Sequence, residues 1–482
     1  MLRPYEEGHR NMRKRPNIVF VFADQLRGSS LGHVGQEQVL TPNFDRFAAQ
    51  GLRFTRAVSN APLCCPMRAS LITGQHPLSH GILGNDILLR EDAPSIAKSL
   101  SQAGYDTAYI GKWHLDGPDR TGFTPPGPRR QGFDYWAAMN CNHSYTVSYY
   151  YRDAPEPIWN TGYQPTEHTD LALEYLADHA GREEPFCLFL SWEPPHCPYD
   201  QVPDTFKRLY DTNSLTPRSN AVDPDLSVTA NYYAHISALD WNFGRLLEAL
   251  DTPELRENTL VVFTSDHGDM LYSHGRGWKC KPWQESVIVP FIARWPGLIP
   301  AGAVEDAPFG LVNTVPTLLG LCGVEVPKEM DGEAMPHLLL HTDGPRPAST
   351  PIYFYMRATN PSPDVWRGVV TQSHTYARFR EAPWVLYDDA ADPYQMRNLA
   401  QAPSRSQLQQ TMETQLQSWL TKLGDSFETD LALAERYRIE VDERGIPPYY
   451  YRPEIMRELH KRRQELAQSS SSGPSESISC EE

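Results

Sequence analysis

Three short apolar, β-branched runs dominate the first half of the chain: residues 17–23 (NIVFVFA), 186–191 (FCLFLS) and 259–265 (TLVVFTS). A strand without polar alternation must bury both faces, so such runs suit the interior of a parallel sheet covered by helices. A weaker run, 105–111 (YDTAYIG), suits a further strand. Between the runs, apolar residues recur at spacings of three and four. Residues 169–180 (TDLALEYLADHA) read as a helix opening on Thr169. Residues 230–250 read as a longer helix with Ile236, Leu239, Phe243, Leu246, Leu247 and Leu250 on one side. Strands alternating with helices predict a layered α/β fold.

A composition change at Gly344-Pro345-Arg346-Pro347 divides the chain. Beyond it, residues 352–390 (IYFYM, WRGVVT, TYARFR, WVLYD) predict short antiparallel strands, and 404–423 a helix. The expected organisation is a main domain over 15–345, a smaller C-terminal α+β domain over 346–465, and a disordered low-complexity tail over 466–482. Residues 116–165, rich in Pro, Gly, Asn and Tyr, predict a long loop region near a pocket mouth. The segment PPYYYRPEIMRELHKR (447–462) reads either as a subunit interface in a homo-oligomer or as packing back on the body.

Lys and Arg number 44 against 60 Asp and Glu, a net charge of −16. Such a chain has no overall electrostatic reason to bind nucleic acid. No run of about 18 apolar residues exists, so no membrane span is expected. The stretch 17–23 is too short for a signal-peptide core, which makes a cytoplasmic protein the expectation. Eight scattered cysteines do not suggest a disulfide scaffold.

The chemistry collects just after the buried runs. In open α/β sheets sites lie outside the strands' carboxyl ends. Asp24-Gln25 follows the first run and Asp266-His267 the third. Two carboxylates, an amide oxygen and an imidazole at one sheet edge would suit a divalent cation.

Two longer motifs are more specific. Residues 64–74 read Cys-Cys-Pro-Met-Arg-Ala-Ser-Leu-Ile-Thr-Gly, and 104–114 read Gly-Tyr-Asp-Thr-Ala-Tyr-Ile-Gly-Lys-Trp-His. Together they resemble the two signatures of the type I, formylglycine-dependent sulfatases. Pro194-Pro195-His196 and Lys279 are similar to that family's remaining substrate positions, and the likeness runs from about residue 15 to about 400.

The resemblance implies an alkaline-phosphatase-like fold: a mixed sheet between helices, then a smaller domain with an antiparallel sheet. It implies hydrolysis of sulfate monoesters and a maturation enzyme that converts Cys64 to formylglycine. The carry-over falls on Cys64, two before Pro66; Cys65 reads as a small packed thiol. An aldehyde hydrate puts two hydroxyls on one carbon. One attacks sulfur, and the other lets sulfate leave by C–O cleavage as the aldehyde returns. Asp24, Gln25, residue 64, Asp266 and His267 would hold one divalent metal ion, calcium first and manganese or magnesium next. Arg68 would pair with the nucleophile and a metal-bound carboxylate. Lys112 and Lys279 would contact sulfate oxygens. His114 would accept a proton from residue 64, and His196 with Lys279 would protonate the leaving oxygen. Lys281 competes with Lys279 for its role.

The chain departs from the family pattern at Gln25, commonly acidic, at His267, commonly Asn, and at Met67, often Ser. Gln25 and His267 also fit a phosphonate monoester or phosphodiester hydrolase on the same scaffold, whereas Lys112 and His114 favour a sulfatase. A non-catalytic metal-binding protein with Cys64 as a thiol is a third reading. The expected substrate is a sulfated small molecule or carbohydrate. Asn140, Asn142, His143, Tyr145 and Tyr149-Tyr150-Tyr151 read as a sugar subsite or as loop packing. Trp366-Arg367 reads as a further contact from the smaller domain.

Overall fold

The computed structural model describes residues 15–160, 162–358, 364–400 and 402–469. Eight strands form the main sheet: β1 (Asn17–Asp24), β2 (Leu52–Phe54), β3 (Asp106–Lys112), β4 (Tyr135–Met139), β5 (Phe186–Pro195), β6 (Thr259–Ser265), β7 (Phe291–Arg294) and β8 (Ala303–Glu305). Their spatial order is β8-β2-β7-β6-β1-β5-β3-β4. The five strands from β6 to β4 in that order are parallel, and β7 runs antiparallel to both of its neighbours. The apolar runs therefore occupy the centre, as both-face burial requires.

Alternate residues of β1 feed two cores. Ile18, Phe20 and Phe22 join the core containing α1 (Cys64–Thr73), and Phe20 stacks on Phe189 with ring centroids 4.6 Å apart. Val19, Val21 and Ala23 face the other core, which holds α2 (Gln164–His179) and α3 (Leu226–Leu250). Each fully buried Val or Phe of this set contributes roughly 1.5–3 kcal/mol.

The smaller sheet is antiparallel: β9 (Ser349–Phe354), β10 (Trp366–Thr371), β11 (His374–Arg378) and β12 (Pro383–Asp388), in sequence order. Val369, Tyr376 and Leu386 on one face cover Met412, Leu416 and Leu420 of α4 (Ser406–Leu423). Ile352, Trp366, Val370 and Ala377 on the other pack with Val58, Leu63, Cys280 and Trp283 of the main body.

Several elements depart from expectation. Helix α2 starts at Gln164, with Pro165 in its first turn, and Thr169 lies inside it, donating its hydroxyl to Pro165 O at 2.6 Å. A proline at the start outweighed the Thr signal. Helix α3 starts at Leu226, capped by the Asp225 side chain. Residues 116–165 are not all loop: β4 adds an edge to the main sheet, and Ser148–Tyr150 pairs with Ile158–Asn160. Helix α5 (Pro453–Ser469) runs past the expected start of the tail at 466, while residues 470–482 lie outside the described residues. No helix among the described residues is long and apolar enough to cross a membrane.

His168 of α2 is fully buried beside Gly111, and neither ring nitrogen finds a hydrogen-bond partner among the described residues. Burial lowers its pKa to about 3. The unfolded chain binds a proton here below the ordinary histidine value and the folded chain does not, so stability is lost as pH falls from about 6.5 towards 3. Urea titrations between pH 6.5 and 4.5 should show a shallower loss for His168→Gln, by up to about 1.4 kcal/mol per pH unit. Identical slopes would contradict the assignment.

Candidate active site at the carboxyl edge of the sheet

Helix α1 begins at Cys64, so Cys64 and Arg68 stand one turn apart on the same side. Pro66 sits in the first turn, where a missing N–H breaks no helical bond; the first such bond runs from Met67 N to Leu63 O at 3.1 Å. All ten residues of the helix are buried. Gly74 ends it at φ +64°, a left-handed turn suited to glycine, with its N–H on Ser70 O. The spacing of the first motif thus places residues 64 and 68 together under the sheet edge.

Asp24, Cys64, Asp266 and His267 are fully buried, and one ligand atom from each lies within 4.8 Å of the others. Cys64 Sγ is 3.6 Å from Asp24 Oδ1 and 3.3 Å from His267 Nε2. His267 Nε2 is 3.5 Å from Asp24 Oδ1 and 3.7 Å from Asp266 Oδ1. Its Nδ1 donates to Gly268 O at 3.1 Å, which leaves the Nε2 lone pair facing the cluster. Burial lowers the His267 pKa to about 4, so the ring is neutral near pH 7. Arg68 divides the carboxylates' labour: Nε donates to Asp266 Oδ2 at 3.0 Å and NH2 to Asp24 Oδ2 at 3.2 Å. The other oxygen of each carboxylate faces the cluster. Burial opposes ionisation of Asp24, but Lys112, His196, Arg68 and His267 overcome it and hold the pKa well below the usual range. Two carboxylates bridged by Arg68 and a neutral imidazole fit a divalent cation.

Burial, then the Asp24 charge, push the Cys64 thiol well above its ordinary range. The encoded thiol is therefore a poor nucleophile in this setting. Cys65 donates to His114 O at 2.9 Å and accepts from Asp86 N at 3.3 Å, the packed role expected of it.

Strand β3 delivers Lys112 and, just beyond it, His114. Gly111 has φ +104°, and a Cβ there would lie 1.9 Å from Ser191 O, so only glycine lets β3 pass this close to β5. Lys112 Nζ lies 2.8 Å from Asp24 Oδ2 and 3.7 Å from Glu193 Oε1. His114 Nε2 lies 3.2 Å from Asp86 Oδ1. A carboxylate only accepts, so the His114 proton sits on Nε2 and Nδ1 carries a lone pair. Burial lowers the His114 pKa to about 4, which keeps that lone pair available.

Lys279, rather than Lys281, faces the cluster: its Nζ lies 3.3 Å from Cys64 Sγ, 3.0 Å from Gln25 Oε1 and 2.6 Å from His196 Nε2. Lys281 Nζ turns back to Lys279 O at 2.9 Å. His196 Nδ1 donates to Cys197 O at 2.7 Å, so Nε2 accepts from Lys279. Gln25 spends its amide oxygen on Lys279 and donates Nε2 to Asp269 Oδ2 at 2.8 Å, where Tyr199 also donates at 2.6 Å. Nine of the ten expected site residues thus contact one another at one edge, with Gln25 turned towards Lys279, and His114 follows just beyond Lys112 with its ring on Asp86.

Glu193, Asp269, Asp86, Arg120 and Ser191 also belong to this site and were missed from the sequence. A charged residue inside the apolar run SWEPPH was the signal available for Glu193. Glu193 Oε1 accepts weakly from Asn142 N and His143 N at 3.4 and 3.5 Å, and Oε2 accepts from Gln164 at 2.8 Å. Cys141, His143 and Glu193 form a second group with metal-ligand atoms close together, but those bonds and Lys112 already occupy the carboxylate. His143 stacks on His196 with centroids 4.4 Å apart.

The remaining loop residues are packing groups. Tyr145 donates to His196 O and Cys197 O, Asn140 donates to Asp119 O, and Tyr149 and Tyr151 lie in a buried cluster. Trp366 and Arg367 correct the expectation of substrate contact. Trp366 Nε1 donates to Cys280 O at 3.0 Å, and Arg367 is buried against Asp425 and the Tyr355 ring. Their apolar and charged surfaces complete the small sheet and leave nothing for a ligand.

Residues 16–324 match the sulfatase family model, and residues 274–422 match the C-terminal model of N-sulphoglucosamine sulphohydrolase. Residues 423–482 lie outside both. An ulvan-active sulfatase of Formosa agariphila is 37% identical over 86% of this chain and 83% of its own length. An endo-4-O-sulfatase of Bacteroides thetaiotaomicron is 29% identical over 88% and 95%. A structure solved in complex with its substrate D-glucosamine-2-N,6-O-disulfate superposes with TM-score 0.73 at 26% identity, covering 86% of this chain and 99% of that one. The chain therefore belongs to the sulfatase family, within the alkaline-phosphatase-like superfamily, and is a sulfate ester hydrolase.

Proposed function

We propose that this enzyme removes sulfate from sulfated carbohydrates, with residue 64 as formylglycine beside a divalent cation. The observation that carries the reading is the convergence of Cys64 with Asp24, Asp266 and His267 in one buried cluster, bridged by Arg68. The carbohydrate class is supported by the relatives named above, which act on ulvan or bind a sulfated glucosamine. Asp24, residue 64, Asp266 and His267 would hold the cation, with Gln25 as a further oxygen donor; calcium suits the oxygens, and the imidazole also admits manganese. Cys64 has no exposed surface in the folded chain, so a formylglycine-generating enzyme must reach it before folding is complete.

When present, the cation and the formylglycine hydrate supply charge neutralisation and an oxygen nucleophile. The chain's own residues do the rest. Arg68 fixes the two carboxylates. Lys112 and Lys279 attract the sulfuryl oxygens and offset the charge that grows on them. The proton for the leaving alcohol oxygen is held on Lys279 Nζ and shared with His196 Nε2. His114 Nδ1 takes the proton from residue 64.

Three outcomes test this reading. Co-produced with a formylglycine-generating enzyme, the chain should release sulfate from a panel of sulfated mono- and disaccharides and from 4-nitrophenyl sulfate. Cys64→Ala should lose about 10⁴-fold or more in kcat/KM. A preference for 4-nitrophenyl phenylphosphonate over the sulfate ester would overturn the sulfatase assignment.

Lys279→Met should cost the sugar sulfate about tenfold more in kcat/KM than 4-nitrophenyl sulfate, since nitrophenolate departs without a proton. Equal losses on both would place Lys279 outside proton delivery.

Calorimetric titration of the unmodified protein should show calcium binding weakened at least tenfold by His267→Ala. Unchanged affinity would remove His267 from the ligand set.

A further inference from the structure

The C-terminal segment reaches the back of the proton acceptor. Residues 446–452 (IPPYYYR), outside both family matches, cross the loop 118–121 before α5 begins. Tyr450 N donates to Pro118 O at 3.2 Å, and Arg120 N donates to Tyr450 O at 3.0 Å. Arg452 pairs with Asp119 at 2.5 Å, and its N–H donates to Thr121 Oγ1 at 2.7 Å. On either side of this bridge, Tyr449 and Tyr451 enclose the Arg120 guanidinium. Its central carbon stands 3.6 Å from the Tyr449 ring centroid and 5.7 Å from that of Tyr451. Arg120 NH1 donates to the Tyr451 hydroxyl at 3.0 Å.

The rest of the fork points at one carboxylate. Arg120 Nε donates to Asp86 Oδ1 and NH2 to Asp86 Oδ2, both at 2.9 Å. Asp86 Oδ1 in turn accepts from His114 Nε2 at 3.2 Å. Arg120, Asp86 and His114 are 2%, 5% and 1% exposed. A long arginine side chain keeps such a bidentate geometry only if its other conformations are closed off. The two tyrosine rings close them, and they also keep water from a pair whose strength depends on a dry setting.

We propose that Tyr449 and Tyr451 are positioning residues for catalysis: they lock Arg120 onto Asp86, and Asp86 fixes the tautomer and direction of His114. The inference deepens the proposed function and rests on its assignment of His114 as proton acceptor. It gives the C-terminal segment a part in the reaction although none of its described residues touches the cation cluster.

The test uses the full chain, co-produced with a formylglycine-generating enzyme, with formylglycine content measured by mass spectrometry and 4-nitrophenyl sulfate as substrate. Tyr449→Leu combined with Tyr451→Phe should lower kcat about tenfold or more while KM stays within twofold, as misplacement of a group by about 1 Å does. The single variant Tyr449→Phe keeps an aromatic face over Arg120 and should retain kcat within twofold. Thermal unfolding should place both variants within a few degrees of the parent. The proposal is overturned if the folded double variant keeps its kcat. It is equally overturned if KM rises in step with the loss of kcat, or if Tyr449→Phe loses as much as the double variant. Should the double variant fail to fold, Tyr451→Phe alone decides by the same split, with a several-fold loss of kcat expected and an unchanged kcat excluding the role. A parent chain that carries formylglycine yet releases no sulfate would instead defeat the underlying reading.

Discussion

The site depends on one buried guanidinium. Arg68 holds a carboxylate from the end of β1 with one nitrogen and a carboxylate following β6 with another. A third nitrogen, NH1, donates to Lys112 O at 2.9 Å and to Ser191 Oγ at 2.7 Å, which ties in β3 and β5. Four neighbouring strands are thus tied together by one side chain. Without it, two buried carboxylates would face each other with no cation between them; breaking a buried ion pair in this way costs about 3–5 kcal/mol. The same interaction therefore supports the fold and sets the directions in which Asp24 and Asp266 present their free oxygens.

The positive groups around this core are arranged by distance from residue 64. Lys279 stands against the sulfur atom, and Lys112 is drawn back onto Asp24 and Glu193. Burial alone would disfavour the charge on Lys112. Asp24 more than offsets that for Lys112, whose pKa is raised well above the ordinary lysine value against the opposing effect of burial. The imidazoles of His114 and His267 behave oppositely. Burial keeps His114 and His267 neutral near pH 7. Fixed cations for an anionic ester, and neutral imidazoles for coordination and proton transfer, are what hydrolysis of a sulfate monoester asks of its surroundings.

Much of this was legible in the sequence because it is local. The both-face apolar runs at 17–23, 186–191 and 259–265 could only be central strands, and polar residues directly after them had to emerge at one edge. The helical repeat placed Arg68 one turn from Cys64. What stayed hidden is long-range. Glu193 looked like part of an apolar run, and only the approach of residues 142–143, Lys112 and Gln164 gives it partners. Asp86 and Arg120 are separated by 34 residues and meet through the loops that flank β3. The strand β4 was obscured by the prolines and glycines on either side of it. Trp366 and Arg367 read as a further contact from the smaller domain; burial in the small sheet gives both a structural use instead.

The small sheet also explains how Lys279 is held in place on an irregular segment. Residues 266–283 contain no helix or strand, yet Lys279 Nζ is held 3.3 Å from Cys64 Sγ. Its neighbour Cys280 packs in the core of the small sheet, its carbonyl accepts from Trp366 Nε1, and its own N–H donates to Pro62 O at 3.1 Å, two residues before Cys64. Trp283 is anchored to the Tyr387 hydroxyl at 3.1 Å. The loop is therefore clamped between the segment leading into the Cys64 helix and the small sheet. Rigid support lets a loop carry chemistry that would otherwise need a strand or helix, and here the support comes from the strand pair β9–β10 and from the aromatic rings along β12.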